Sequence, residues 1–371
     1  LSFQAGNILY KRATPTDDSA LQSVLRQNPI EGWVRLSMQR APTYFAGENL
    51  MGQSVPVLAC DQAANGQALG MYDCAFPPVW INGAAEHAGY LGGLRVNPDY
   101  RRRPAILKNG FASIPILLQD ETAEIPVWFT SIADDNRVAR RVLEAGLNGM
   151  PRYQRAGELE TLVISTRQAR PGSLLRQATP ADITRLVELH GSYAARYQFA
   201  PRLSENWLCG LCGTNGLRLE DFWLLEERGR VVACVALWDQ RAFKQTVIHG
   251  YRFPLNYLRG ALNLAAAIGG RPALPPAGAC LKSIFLSFFA CTPTVSGNTI
   301  VAMIREVLWL IKRRQCGLGL IGLSTQNPLL SGLRSSLRSI VYRTCIEQVT
   351  LHGAQTFTLD QRPPQPEIAV L

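Results

Sequence analysis

An α/β fold (α+β in type) built twice over is what this sequence predicts: two mixed β-sheets, each flanked by helices, one after the other along the chain. Three observations carry that expectation. Apolar runs of strand length alternate with segments of helical periodicity, an order that buries mixed sheets under helices. The pentapeptide Ala13-Thr-Pro-Thr-Asp17 recurs as Ala178-Thr-Pro-Ala-Asp182, with similar segments before and after it. Between the two runs lies Thr166–Gln177, polar and centred on Arg-Pro-Gly, as a linker is. The 371 residues suffice for two ordinary domains, with expected bounds 1–167 and 168–371.

Each half opens on the same helix-start signal: Thr at the N-cap, Pro at the first helical position and Asp three residues past the cap. In the first half we expect strand Ile8–Arg12, helices Asp17–Gln27 and Gly32–Arg40, and strands Val55–Asp61, Gln67–Phe76 and His87–Val96. Helix Pro104–Leu118, strand Pro126–Ile132, helix Asn136–Leu147 and strand Leu159–Ser165 complete it. In the second half, helix Pro180–Tyr197 leads to strands Asp221–Glu227 and Arg230–Trp238, parted by the Arg228-Gly229 turn. An insertion at Pro254–Ala279, rich in Pro, Gly and Ala, has no expected counterpart. Strand Leu281–Cys291, helix Asn298–Arg313 and strand Gly319–Leu323 follow.

Composition excludes several classes. Apolar residues are 47% of the chain, the level of a soluble globular protein. The apolar runs Ile284–Cys291 and Ala261–Gly270 fall short of the roughly 18 residues a membrane span needs, so neither a membrane partner nor a signal peptide is expected. Nine cysteines, scattered mostly singly, point to reduced thiols in a cytoplasmic protein. Cys209-Gly-Leu-Cys212 has ligand spacing, but no second pair completes a tetrahedral site, and no metal is expected. Charge divides unevenly. Through Arg167, 16 basic residues balance 16 acidic ones, so the whole excess of +10 lies in the second half. That favours an anionic substrate or partner. Nucleic acid is not expected, because basic and aromatic residues do not interleave as in single-strand binders.

The most informative segment is Leu94-Arg-Val-Asn-Pro-Asp-Tyr-Arg101-Arg102-Arg103. It reads as a strand running into a triple-arginine loop, then a helix with Pro104 at its first position. A basic loop at a helix N-terminus can cradle a phosphate through backbone N–H groups and forked guanidiniums. Further on, Ile125–Ile132 reads as a strand, followed by Ala-Asp-Asp-Asn136 and a helix through Gly146.

Together these segments resemble the GNAT superfamily of acyl-CoA-dependent N-acyltransferases. Leu94, Val96, Pro98 and Arg101 match its L-x-V-x-P-x-x-R stretch, and Asn136, Ala139 and Gly146 match its later element. The family loop continues R-x-x-G-x-G/A, whereas this chain has Pro104 and Ile106 there, and Leu143 stands where a tyrosine often acts as general acid. In the second half, Cys291-Thr-Pro293 parallels Val96-Asn-Pro98 and Asn327 parallels Asn136, but the loop Thr294–Thr299 has no arginine.

The resemblance implies two tandem domains, each with a splayed sheet, the second degenerate for coenzyme A. It implies acetyl-CoA as co-substrate, held by Leu94, Val96, Arg101, Arg102, Arg103, Pro104, Ala105, Ile106 and Asn136. Glu86, His87 and Tyr90, at or before the start of the same strand, are the candidate acid–base groups. Period-two alternation places Tyr90 on one face with Gly92, Leu94 and Val96. The acceptor would be a small-molecule or peptide amine, of anionic character. A non-catalytic acyl-CoA-binding or scaffold protein is the alternative.

Overall fold

The computed structural model describes residues 1–122, 125–213, 215–269 and 271–371. The first half contains strands β1 (Ser2–Ala5), β2 (Ile8–Arg12), β3 (Val34–Gln39), β4 (Ser54–Asp61), β5 (Gln67–Ala75), β6 (Pro78–Ile81), β7 (Ala84–His87), β8 (Gly89–Val96), β9 (Trp128–Ala133) and β10 (Arg152–Ser165). Its helices are α1 (Asp18–Gln27), α2 (Pro104–Leu117), α3 (Gln119–Thr122) and α4 (Arg137–Leu143). The second half has β11 (Leu175–Gln177), β12 (Ala200–Pro201), β13 (Phe222–Glu227), β14 (Arg230–Trp238), β15 (Gln245–Tyr251), β16 (Ser283–Cys291), β17 (Leu318–Ser324) and β18 (Ser339–Thr350). With them come α5 (Ile183–Ala194), α6 (Glu205–Cys209), α7 (Leu255–Gly269), α8 (Gly297–Arg313) and α9 (Leu330–Ser336). Both helix-start signals fold alike. The Asp17 carboxylate accepts from the Thr14 N–H at 3.0 Å, and that of Asp182 from the Thr179 N–H at 2.9 Å.

One mixed sheet runs through the molecule in the order β1-β2-β4-β5-β8-β9-β18-β10-β17-β16-β14-β13-β11. Read inward from β2 on one side, inside the extra edge strand β1, and from β11 on the other, it repeats one plan. In both halves the fourth and fifth strands of that plan run parallel and pair over a few residues only, Gly89–Leu91 with Trp128–Thr130 and Ser283–Phe285 with Leu318–Leu320. The last strand of each half then crosses over: β10 pairs with β17, β18 pairs with β9, and the two pair with each other at the centre.

The exchange extends beyond the main sheet and corrects two expectations. Gly32–Arg40 is not a helix; Val34–Gln39 is strand β3, paired with β15 of the second half. Val34, Leu36 and Met38 alternate with Arg35, Ser37 and Gln39, a period-two pattern whose partner is remote in sequence. Nor is the excursion around Pro254–Ala279 without a counterpart. The connection from β14 to β16 carries β15 and α7, and its equivalent is the β6–β7 hairpin between β5 and β8, which likewise crosses to pair with β12. Gly270, within that stretch, lies outside the described residues.

Packing differs between the halves. The second has one contiguous core in which Phe288 stacks on Phe222 and Trp238. The first has separate clusters on the two faces of its sheet: one under α2, built on Tyr10, Tyr72 and Ile114, and one under α1, built on Leu21, Leu58 and Met71. The space between them is the site.

Candidate active site

The site begins where β8 leaves β9. Thr130 Oγ1 donates to the Leu91 carbonyl at 2.6 Å, and the pairing ends there. From Gly92 onward β8 keeps β5 on one side and parts from β9 on the other. A β-bulge follows at once. Asp73 opposes Gly92 and Met71 opposes Arg95, so β8 carries one extra residue, with Gly93 at φ +63.

The bulge corrects the alternation expected from the sequence. Tyr90 packs with Phe129 and Phe199 on one face, whereas Leu94 and Val96 pack against the cluster under α2 on the other. One extra residue reverses which face each later side chain meets.

A cavity of about 970 Å3 is lined by the residues of this parting and by side chains from both faces of the sheet. Its apolar arm lies under α2, between Tyr10, Tyr72, Ile106, Gly110, Phe111 and Ile114. The two tyrosines point their hydroxyls away from free space: Tyr10 donates to the Ile106 carbonyl at 2.8 Å, and Tyr72 pairs with the Ser113 hydroxyl at 2.7 Å. Gly110 presents no side chain to it.

The polar arm lies on the opposite face and is lined by Arg40, Tyr44, Asp73, Arg95 and Lys244. Asp73 Oδ2 accepts from the Tyr44 hydroxyl at 3.1 Å and from Arg40 at 3.3 Å, while Oδ1 has no partner. Burial raises the Asp73 carboxyl above the ordinary carboxylate range, against the opposing pull of Arg40 and Tyr44. Burial also pushes the Lys244 ammonium down to about 7, aided by the Arg40 charge and opposed by Asp73. Its Nζ donates to the Ala369 and Leu371 carbonyls, both at 3.1 Å. Arg95 is half-buried, and its buried Nε lacks a partner.

The residues singled out in the sequence fall into three groups. Tyr90, Leu94, Val96, Ile106 and Asn136 line the cavity. The Tyr90 hydroxyl pairs with that of Ser131 at 2.8 Å, and burial pushes the phenol up to about 12. Asn136 also caps α4, its Oδ1 accepting from the Ala139 N–H at 3.2 Å. Arg101, Arg102, Arg103, Pro104 and Ala105 form the exposed loop and helix start between Val96 and Ile106. Arg101 is tied down, donating to the Val96 carbonyl at 3.1 Å and to Asn28 at 3.0 Å. Arg103 lies over the Tyr100 ring at 5.1 Å. Glu86 and His87 stand apart. They sit on the exposed outer strand of the β6–β7 hairpin and do not line the cavity, although Val79 of β6 and Pro201 of β12 do.

Asp73, Arg40, Tyr44 and Lys244 were not anticipated. Asp73 had a signal: it is the one charge inside the apolar run Ala68–Phe76, and a charge in a buried strand asks for a reason.

The second parting is filled by the chain itself. Phe288 N–H donates to Glu367 Oε2 at 2.8 Å, and Ser324 N–H and Asn327 Nδ2 donate to Gln365 Oε1 at 3.1 and 2.9 Å. Residues 365–368 thus lie between β16 and β17, where the first half has open space.

This fold has counterparts among solved structures. Saccharomyces cerevisiae N-myristoyltransferase with bound myristoyl-CoA superposes with a TM-score of 0.60, over 97% of this chain and 88% of that one, at 9% identity. A GCN5-related N-acetyltransferase from Sphaerobacter thermophilus superposes with a TM-score of 0.57, over 96% of this chain and 100% of that one, at 14% identity. The fold is the GNAT fold. No family sequence model matches the chain, and no curated protein matches it in sequence, so the kinship is one of architecture. Within the GNAT frame, β8 and β9 are the splayed pair of the first half, and β16 and β17 that of the second.

Proposed function

We propose that this protein is an acyl-CoA-dependent N-acyltransferase, with residues 1–167 holding the acyl-CoA and residues 168–371 closing the acceptor arm. The observation that carries the reading is the cavity itself, which joins an apolar arm to a charged one through the parting of β8 and β9. Such a passage lets a thioester and an amine meet from opposite faces of one sheet. Acyl-CoA, when bound, supplies an activated carbonyl with a thiolate leaving group.

The residues fit that group. The open edge of Gly92–Val96 suits an extended pantetheine arm, with Leu94 and Val96 along it and Asn136 across from it. Arg102 and Arg103 are exposed beside the start of α2, where their charge suits a pyrophosphate. Pro104 has no N–H, and that of Ile106 is bonded to the Arg103 carbonyl at 3.1 Å. Guanidinium groups rather than backbone donors would therefore do most of the holding.

We assign Asp73 as the general base. Its side chain lines the cavity with Oδ1 buried and unpartnered, and its raised pKa brings it nearer the range in which a carboxylate accepts protons well. Arg40 and Tyr44 fix its orientation. Tyr90, held by Ser131, is the group we assign to carry or return a proton at the parting. The acceptor is an amine, small molecule or peptide, and Arg40, Arg95 and Lys244 favour one bearing negative charge. An acetyl group fills only a few times the ~30 Å3 of a water molecule. The apolar lining under α2, with Ile106, Phe111 and Ile114, suits a longer chain than that of acetyl-CoA.

Calorimetric titration of the full chain with acetyl-CoA and with myristoyl-CoA, beside the Arg102→Ala/Arg103→Ala variant, tests the reading. Binding at one site that weakens in the variant, followed by thioester consumption with an amine panel, is the expected result. The longer donor should bind more tightly. No heat with either donor would overturn it in favour of a scaffold.

A further inference from the structure

Helix α7 is built inside out. None of its residues is buried. The side chains turned toward the protein include Arg259 and Asn263: Asn263 bonds both the N–H and the carbonyl of Leu274, at 2.7 and 2.9 Å, and Arg259 donates to the same carbonyl at 3.4 Å. The opposite ridge is Tyr257, Ala261, Leu264 and Ile268, spaced i, i+4, i+7 and i+11 on one line of the helix. It is apolar and open, with Tyr257 79%, Leu264 68% and Ile268 82% exposed. Phe253, 74% exposed, packs edge-on against Tyr257, and Trp33 lies beside it through the Arg252 N–H bond to its carbonyl. A surface helix ordinarily turns its apolar stripe inward. A contiguous exposed apolar patch marks an interaction site.

Charge indicates what covers it. No acidic residue occurs between Asp239 and Glu306, a stretch with seven Lys and Arg. Exposed Arg252 stands at one end of the helix. Exposed Arg271 and Arg338 stand at the other, and Arg338 donates to the Gly269 carbonyl at 2.6 Å. Glu31, the acid nearest to Trp33 in sequence, is paired with Arg35 at 3.2 Å. An apolar ridge with aromatic side chains, bracketed by arginines, suits a helix lying in the headgroup layer of an anionic bilayer. At 15 residues the helix is roughly 22 Å long, below the roughly 30 Å of a hydrocarbon core. Among the described residues no helix is long and apolar enough to cross a membrane, so the contact is with the surface.

We propose that α7, with Phe253 and Trp33, docks this protein on the surface of an anionic lipid bilayer. Leu255, in the first turn of the same helix, and Leu274, which holds its inner face, both line the cavity. Docking would set that wall of the cavity against the lipid. The proposal stands apart from the acyl-transfer reading, since it concerns a different surface and a different measurement.

The test is co-sedimentation of the full chain with vesicles of roughly 3:1 phosphatidylcholine and phosphatidylglycerol, and with vesicles of phosphatidylcholine alone. Wild type should bind the mixed vesicles and lose affinity on the order of tenfold on the neutral ones. Leu264→Gln/Ile268→Gln should lose a similar factor on the mixed vesicles while melting at the wild-type temperature, because both positions are exposed. Arg252→Gln/Arg271→Gln should weaken the preference for anionic lipid. Failure of wild type to bind, or equal binding by the ridge variant, would overturn the proposal. So would a dimer in sedimentation that the ridge variant converts to monomer, since the ridge would then cover a second copy.

Discussion

Gly93 and Phe288 occupy equivalent places in the two halves: each is the bulge residue beside a parted strand pair, at φ +63 and +51. Glycine adopts that conformation freely, whereas phenylalanine is strained by roughly 1–2 kcal/mol. The ring offsets the strain through its stacking on Phe222 and Trp238, at 5.9 and 5.6 Å. Phe288→Gly should therefore destabilise despite the easier backbone, by about 3 kcal/mol net, since losing a buried phenyl costs about 3–5 kcal/mol. Urea unfolding measures it, and an unchanged midpoint would mean that the ring contributes little.

Asp73→Asn keeps the shape of the side chain and removes the base. We expect a fall in kcat/KM of about 10²–10⁴, with acyl-CoA affinity unchanged and the acidic limb of the pH–rate profile gone. Equal loss of acyl-CoA affinity would mean instead that Asp73 holds the site together.

Lys244 has a folded pKa near 7 against an unfolded value of about 10.4. Between those values the unfolded chain holds a proton that the folded one has released, so stability rises with pH across that window. From pH 7 to 9 the gain should be about 2 kcal/mol. Lys244→Met should remove it. Parallel curves for the two proteins would place the ammonium in a wetter setting than its burial indicates.

Arg102 and Arg103 are exposed and unpaired with any acid among the described ion pairs. Replacing both with alanine should weaken acyl-CoA binding by roughly tenfold to a hundredfold and flatten its salt dependence. Fluorescence or calorimetric titration at two ionic strengths reads both effects. A loss of affinity with unchanged salt dependence would point away from phosphate contact.

Much of this fold was legible because its signals are local. The alternation of Ile8–Arg12 and Gln67–Phe76, and the twin Thr-Pro-x-Asp starts, act within a few residues. What escaped was set by partners far along the chain. Val34–Gln39 is a strand because β15 lies beside it, and Ser339–Thr350, left unassigned, completes the sheet of the other half. The bulge had only the paired glycines at 92 and 93 to announce it. For the same reason alternation misjudged the faces of Leu94 and Val96. The cofactor loop was visible as a run of arginines. The charged arm was not, because Arg40, Asp73 and Lys244 meet only after β3 and β15 have paired across the halves.

That crossing of β10 and β18 has a further consequence. Each half finishes its sheet with a strand that the other half surrounds, so neither can be lost, moved or replaced on its own. A gene fragment ending at the linker would yield a sheet missing its neighbour, and two fragments made separately would have to find each other before either matured. The half whose parting is filled by its own chain is thereby kept as a permanent mould for the half whose parting is open.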